Sequence, residues 1–152
     1  MTELNEWVVN TCEDLHFQYI YNEEGVCIEF EKFSSLIAET INSRGLSDYS
    51  LIFIDIPQDR ILEASTLVNY LNEDLEFGRF TFLVEMNRIN YYMTSFIPDG
   101  VREEQCSAII REMIELSLTY ILKALNAISM LAETQLSAEE IYTSYLTGGK
   151  HE

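Results

Sequence analysis

The sequence predicts an α+β domain in which an antiparallel sheet of about five to six strands packs against helices on one face. Three observations carry that expectation. Between Phe17 and Ile56 the chain is a series of short β-branched and aromatic runs separated by Gly, Asn, Asp and Ser. After Pro57 the apolar residues recur at three and four positions instead of two. From Arg102 to about Leu131 neither Gly nor Pro interrupts a helical pattern, which at 1.5 Å per residue reaches roughly 45 Å.

The elements follow in chain order. Leu4, Trp7, Val8, Cys12 and Leu15 stand at helical spacing with acids between them, so Leu4–Leu15 reads as an amphipathic helix. Phe17–Tyr21 and Val26–Phe30 flank the turn-prone Asn22-Glu-Glu-Gly25 and read as a β-hairpin. Ser35–Ile41 is taken as a strand. Leu51–Ile56 is a strand stopped by Pro57, and the breaker-rich segment Asn42–Ser50 between them reads as a loop. Ile61, Ala64, Leu67, Val68, Leu71 and Leu75 make Gln58–Leu75 a helix. Gly78 takes the turn into a strand around Phe80–Val84, and Ile89–Phe96 pairs back across Glu85–Arg88 as a second hairpin. Glu103 and Glu104 then favour the positive end of the long helix. One of its apolar stripes runs through Cys106, Ile109, Met113, Tyr120, Ala124 and Ile128. The other runs through Ile110, Ile114, Leu118, Ile121 and Leu125. So wide an arc predicts that Ile110, Ile114, Leu118 and Ile121 meet a second copy of the chain. Ser137-Ala-Glu-Glu resembles a capping box and starts a short tail helix, which ends before a frayed terminus at Gly148–Glu152. The expected division is one domain over residues 1–131 and a helical extension over 132–152.

Composition excludes whole classes of function. At 152 residues and 47% hydrophobic, with 6 Gly and 2 Pro, the chain is neither disordered nor collagen-like. Twenty-six Asp and Glu against 9 Lys and Arg give a formal charge of −17, which opposes binding to nucleic acid or to an anionic membrane face. No export signal is legible before Lys32, and Lys123, Asn126 and Ser129 break the longest apolar stretch. A cytoplasmic location without a membrane span is therefore expected. Cys12, Cys27 and Cys106 are too far apart for a zinc knuckle and read as buried small hydrophobes. His16, beside Glu13 and Asp14, reads as a half-exposed residue at a helix end. No G-x-S-x-G, H-E-x-x-H, Walker A, G-x-G-x-x-G or EF-hand pattern occurs, so no enzymatic activity, cofactor or metal is expected.

The order of elements and several local motifs resemble the YbjN-like family, the bacterial sensory transduction regulator domain, which shares the α/β fold of type III secretion chaperones. The carrying residues are Ile54-Asp-Ile-Pro57, Leu67–Asn72, Leu75–Phe82, Ile89-Asn-Tyr-Tyr92 and Val101-Arg-Glu-Glu104. The resemblance spans roughly Phe17 to Ala127. Its most specific part is the spacing Asn72, Gly78, Phe80, which marks a helix end, a tight turn and strand entry. It implies a convex antiparallel sheet with helices on one face, a homodimer, and binding of other proteins without enzymatic activity.

The candidate binding residues come from two excesses. Acids crowd the first 31 residues, where no base occurs, and again at Glu73, Asp74 and Glu76. These clusters read as a solvated face that keeps the chain soluble, as a docking rim for a basic segment of a protein partner, or as a mimic of nucleic-acid charge; on the docking reading Glu73, Asp74 and Glu76 are the candidate partner-binding acids. Aromatics number 9 Tyr, 8 Phe and 1 Trp. Strand alternation sends one set away from the helices, and Tyr19, Tyr21, Tyr91 and Tyr92 are assigned to that protein-binding face. The leading expectation is a chaperone-like adaptor or regulator. The alternative is a small-molecule or ion sensor with a pocket between sheet and helices.

Overall fold

The computed structural model describes residues 1–40 and 45–146. Thr2 starts the first helix, its hydroxyl accepting from the Asn5 amide at 3.3 Å, and α1 spans Glu3–Asp14. Leu4, Trp7, Val8 and Cys12 are its buried face. It ends at His16, an exposed residue in the left-handed region at φ 58°, from which the chain enters the sheet.

Six strands follow: β1 Tyr19–Asn22, β2 Gly25–Glu29, β3 Phe33–Glu39, β4 Gly45–Ile52, β5 Arg79–Leu83 and β6 Arg88–Phe96. All pairs are antiparallel, in the order β1-β2-β3-β4-β6-β5. The first four form a meander. The chain then crosses by a short 3-10 turn, Gln58–Arg60, and by α2, Ile61–Glu73, to the far edge, and β6 returns into the gap beside β4. The fold is α+β, with the sheet covered by helices on one face.

One element departs from the sequence reading. Asn42–Ser50 is not a loop throughout, because β4 begins at Gly45 and stops at Ile52, leaving Phe53–Pro57 irregular. Ile41 to Arg44 lie outside the described residues. The loop-forming residues Asp48 and Ser50 face the core beside Leu46 and Ile52; the opposite register would bury Tyr49 and expose those two aliphatics. The polar groups satisfy one another. Ser35 Oγ and Ser50 Oγ lie 2.6 Å apart, Ser50 donates to Asp48 Oδ1 at 2.9 Å, and the Ser117 hydroxyl of the long helix also bonds the carboxyl.

The spacing Asn72, Gly78, Phe80 has a physical cause. The Asn72 carboxamide accepts from the Phe80 amide at 2.7 Å and donates to the Phe80 carbonyl at 2.9 Å, tying the end of α2 to the start of β5. Gly78 sits at φ +71°, against the Tyr91 hydroxyl, which donates to the Phe77 carbonyl at 2.8 Å.

The long helix α3 spans Glu103–Glu133, and its wide apolar arc is consumed within the chain. One side lies on β4 and β6, the other meets α1, α2 and the tail. The assignment of Ile110, Ile114, Leu118 and Ile121 to a dimer interface is therefore corrected. Ile110 and Ile121 are fully buried, Ile114 is 2% exposed, and Leu118 packs half-buried against the same core. By length and composition α3 could cross a membrane, with a mean hydropathy of 1.3 in its most apolar window, but here it is the central core helix.

The extension after Leu131 docks on the domain. The buried Arg60 guanidinium donates from Nε to the Leu131 carbonyl at 2.9 Å and from a terminal nitrogen to the Leu136 carbonyl. Glu63 accepts from the Ala138 amide at 2.6 Å, at the start of α4, Ala138–Ile141, whose capping box between Ser137 and Glu140 is formed. A π-helical turn, Tyr142–Leu146, follows. Gly148–Glu152 lie outside the described residues. Replacing Arg60 with Leu strands two carbonyls and is expected to lower stability by about 2–3 kcal/mol. Urea unfolding measures that loss, and amide exchange at Ala138 and Ile141 should accelerate more than exchange at Ile37. Equal acceleration at all three would show that Arg60 does not hold the tail.

Candidate polypeptide-binding surface

The face of the sheet away from the helices is built by strand alternation. Directly paired residues make one line across all six strands: Ile20, Cys27, Leu36, Tyr49, Tyr92 and Arg79. Tyr49 and Tyr92 are 36% and 38% exposed, and each presents a broad apolar ring with a polar tip. Glu29, on β2, is the one acid that the strand registers place on this face, and the cations Arg88 and Arg79 stand across the sheet from it on β6 and β5. In a chain of charge −17 this surface is spared. Arg88 lies over the Phe53 ring at 5.6 Å and pairs with Asp55 at 2.9 Å.

The structure separates the four tyrosines assigned to the outer face. Only Tyr92 stands there, joined by Tyr49, which the sequence reading missed. Tyr91 is a correction. It is fully buried between Phe80 and Tyr120, and burial pushes its phenol well above the ordinary range. The neighbours Tyr91 and Tyr92 must face opposite sides of one strand, so both cannot be outward. Tyr19 and Tyr21 pair with Ile28 and Val26 and so lie on the helix side at the sheet's edge, where Tyr19 donates to Glu13 of α1 at 2.7 Å. Cys12 and Cys106 are buried, and burial beside Glu13 lifts the Cys12 thiol to about 11; Cys27 is only half-buried, on the open face.

A second feature adjoins that face. β6 pairs with β5 only up to Tyr92, opposite Arg79, while β6 itself continues to Phe96. The Tyr92 carbonyl points towards the β5 side, because a Cβ on Gly78 would lie 2.6 Å from it; the Ser95 carbonyl points towards β4, as its 2.7 Å approach to a Cβ on Gly45 shows. Backbone alternation then turns the N–H and C=O of Thr94 and Phe96 to the side where β5 has ended. They form an open strand edge with no described strand beside it, and no Pro or Lys blocks it. A groove of 210 Å³ runs along this edge between Phe77 and α3, lined by Met93, Ile109, Met113 and Leu116. Phe77, which lines the groove, and Phe96, the last residue of β6, are exposed. Unequal hairpin arms, Phe80–Val84 against Ile89–Phe96, were the signal in the sequence. Glu73, Asp74 and Glu76 are exposed at the end of α2 just before Phe77, so the rim and the edge are neighbours along the chain.

An antiparallel sheet of this order, backed by a long C-terminal helix, defines a YbjN-like α+β domain. Its fold is similar to the crystal structure of YbjN from E. coli, described as a candidate transcription regulator, with a TM-score of 0.60 over 80% of this chain and 90% of that chain. Sequence identity is 12%, so the likeness lies in the fold. No family model and no curated protein matches the sequence.

Proposed function

We propose that this protein is a non-enzymatic adaptor that holds an extended segment of a partner polypeptide by adding it as a strand beside Thr94–Phe96. The YbjN-like fold is consistent with a regulatory or adaptor role. The observation that carries the reading is the open edge of β6. Unpaired N–H and C=O groups on a regular strand are a template for another strand, and main-chain hydrogen bonds supply affinity without dictating sequence. Alternate side chains of such a segment fall to two sides. One set enters the groove above Met93, Ile109 and Met113, and the other lies beside Tyr92 and Phe96. A basic residue at the flank of the segment meets Glu73 and Glu76, and their field speeds association. The partner is thus apolar at every second position and basic at one end.

Thr94→Pro removes one of the two N–H groups, those of Thr94 and Phe96, that an added strand would accept from, at a position where β4 makes no use of it. Peptides selected from a displayed library against the native protein should show the alternating apolar pattern and lose at least about tenfold in affinity on Thr94→Pro. Binding should also slow amide exchange at Thr94 and Phe96. Peptides that bind the Thr94→Pro protein as tightly as the native one, or that protect other amides, would refute strand addition.

A further inference from the structure

A slot of 140 Å³ opens between α2, α3 and the π-helical turn, away from the sheet edge. Its inner walls are Leu71, Leu75, Phe80 and Ala124, with the Tyr120 ring beside them. That is close to the roughly 150 Å³ of an apolar cavity that stays dry and takes up benzene. The roof is Tyr142, whose ring stacks on Tyr70 at 4.8 Å and whose hydroxyl donates to Asp74 Oδ2 at 2.8 Å. Polar chemistry is confined to the mouth. Asp74 keeps its other carboxylate oxygen for a ligand, and Lys123, exposed on α3, has no ion pair among the described residues.

The two mouth charges select the substituent. An anionic group is attracted by Lys123 but repelled by Asp74 and the field of the acidic chain, a cationic group is attracted by Asp74 but repelled by Lys123, and each loses hydration on entry and can pair with only one of the two side chains. A neutral hydroxyl satisfies both, donating to Asp74 and accepting from Lys123. We propose that this slot binds a neutral single-ring aromatic molecule carrying a hydroxyl, with its ring among Leu71, Leu75 and Phe80 and its oxygen between Asp74 and Lys123. The site is independent of the strand-addition edge and does not rest on that reading.

The test titrates the full chain at pH 7.5 with phenol, benzoate and benzylamine, following the methyl signals of Leu71, Leu75 and Ala124 by NMR. Phenol should give saturating shifts with a Kd on the order of 1 mM, and both charged probes should bind at least about tenfold more weakly. Thr119→Trp, at an exposed position on the rim of the slot, should weaken phenol about tenfold or more with the native spectrum retained elsewhere. Ala124→Leu should do the same by filling the space, and if it fails to fold, Thr119→Trp alone decides. Thr94→Pro should leave phenol affinity unchanged. Shifts that do not saturate, a charged probe that binds as well as phenol, or unaltered affinity in Thr119→Trp would overturn the proposal.

Discussion

Gly78→Ala is expected to destabilise the protein by about 3 kcal/mol, a fall in Tm of roughly 6–12 °C for a chain of this size. Two costs add. The backbone at Gly78 stands at φ +71°, which an L side chain adopts at about 1–2 kcal/mol. The new methyl would also lie 2.4 Å from the Tyr91 hydroxyl oxygen and 2.6 Å from the Tyr92 carbonyl, well inside contact distance. The hydroxyl is itself tied to the Phe77 carbonyl and backed by the buried ring, so it has no free direction in which to retreat. Urea denaturation of Gly78→Ala, Tyr91→Phe and the double variant separates the terms. Removing the phenol oxygen should make the double variant less unstable than the sum of the singles. Strict additivity would mean that the phenol oxygen contributes nothing and that backbone strain with the remaining close approaches, the Tyr92 carbonyl among them, accounts for the whole effect.

Asp48→Asn should act in the opposite direction, raising stability at pH 8 by about 2 kcal/mol. Asp48 sits in the core against Ile37 of β3, Met93 and Tyr91 of β6 and Ser117 of α3, and none of these is a cation. Loss of hydration pushes its carboxyl from 3.8 up to about 6, although three serine hydroxyls pull the other way. Because the folded state holds the proton more tightly than the unfolded state, stability is greatest below the unfolded value and falls as pH rises towards 6. The ionised form costs about 3 kcal/mol at neutral pH, of which poorer hydrogen bonding in the asparagine variant returns part. The advantage of Asp48→Asn over the native protein should therefore shrink by about 1.4 kcal/mol between pH 8 and pH 5. An advantage that does not change with pH would show that Asp48 ionises normally in the fold.

These two positions mark how far the sequence could be read. Gly78 was legible, because a glycine between a helix end and an aromatic strand has few other uses, and the companion residues Asn72 and Phe80 stood at fixed distances from it. Asp48 was not legible. Asp, Ser and Gly are loop formers in isolation, and only the registers of β3 and β6 on either side turn Gly45–Ile52 into a central strand with its polar residues inward. The outer face failed for a related reason. Alternation shows that Tyr91 and Tyr92 point opposite ways, but the choice between them depends on which side α3 covers. In the long helix, two apolar stripes implied two partners, and both partners turned out to be in the same chain.

The sequence by itself determined the number and kind of elements, the hairpin and helix boundaries around Gly25, Pro57 and Gly78, the capping of α4 at Ser137, and the acidic surface. These follow from local chemistry: backbone preference, spacing and charge act over a few residues. Tertiary structure alone decided that Asp48 is buried, that Arg60 and Glu63 hold the tail, that Ile110, Ile114 and Ile121 are core, and that Thr94 and Phe96, paired with β4 on one side, have no described strand on the other. Each of these depends on contacts between segments that are distant in the chain or on where a neighbouring strand stops, and no local preference encodes either.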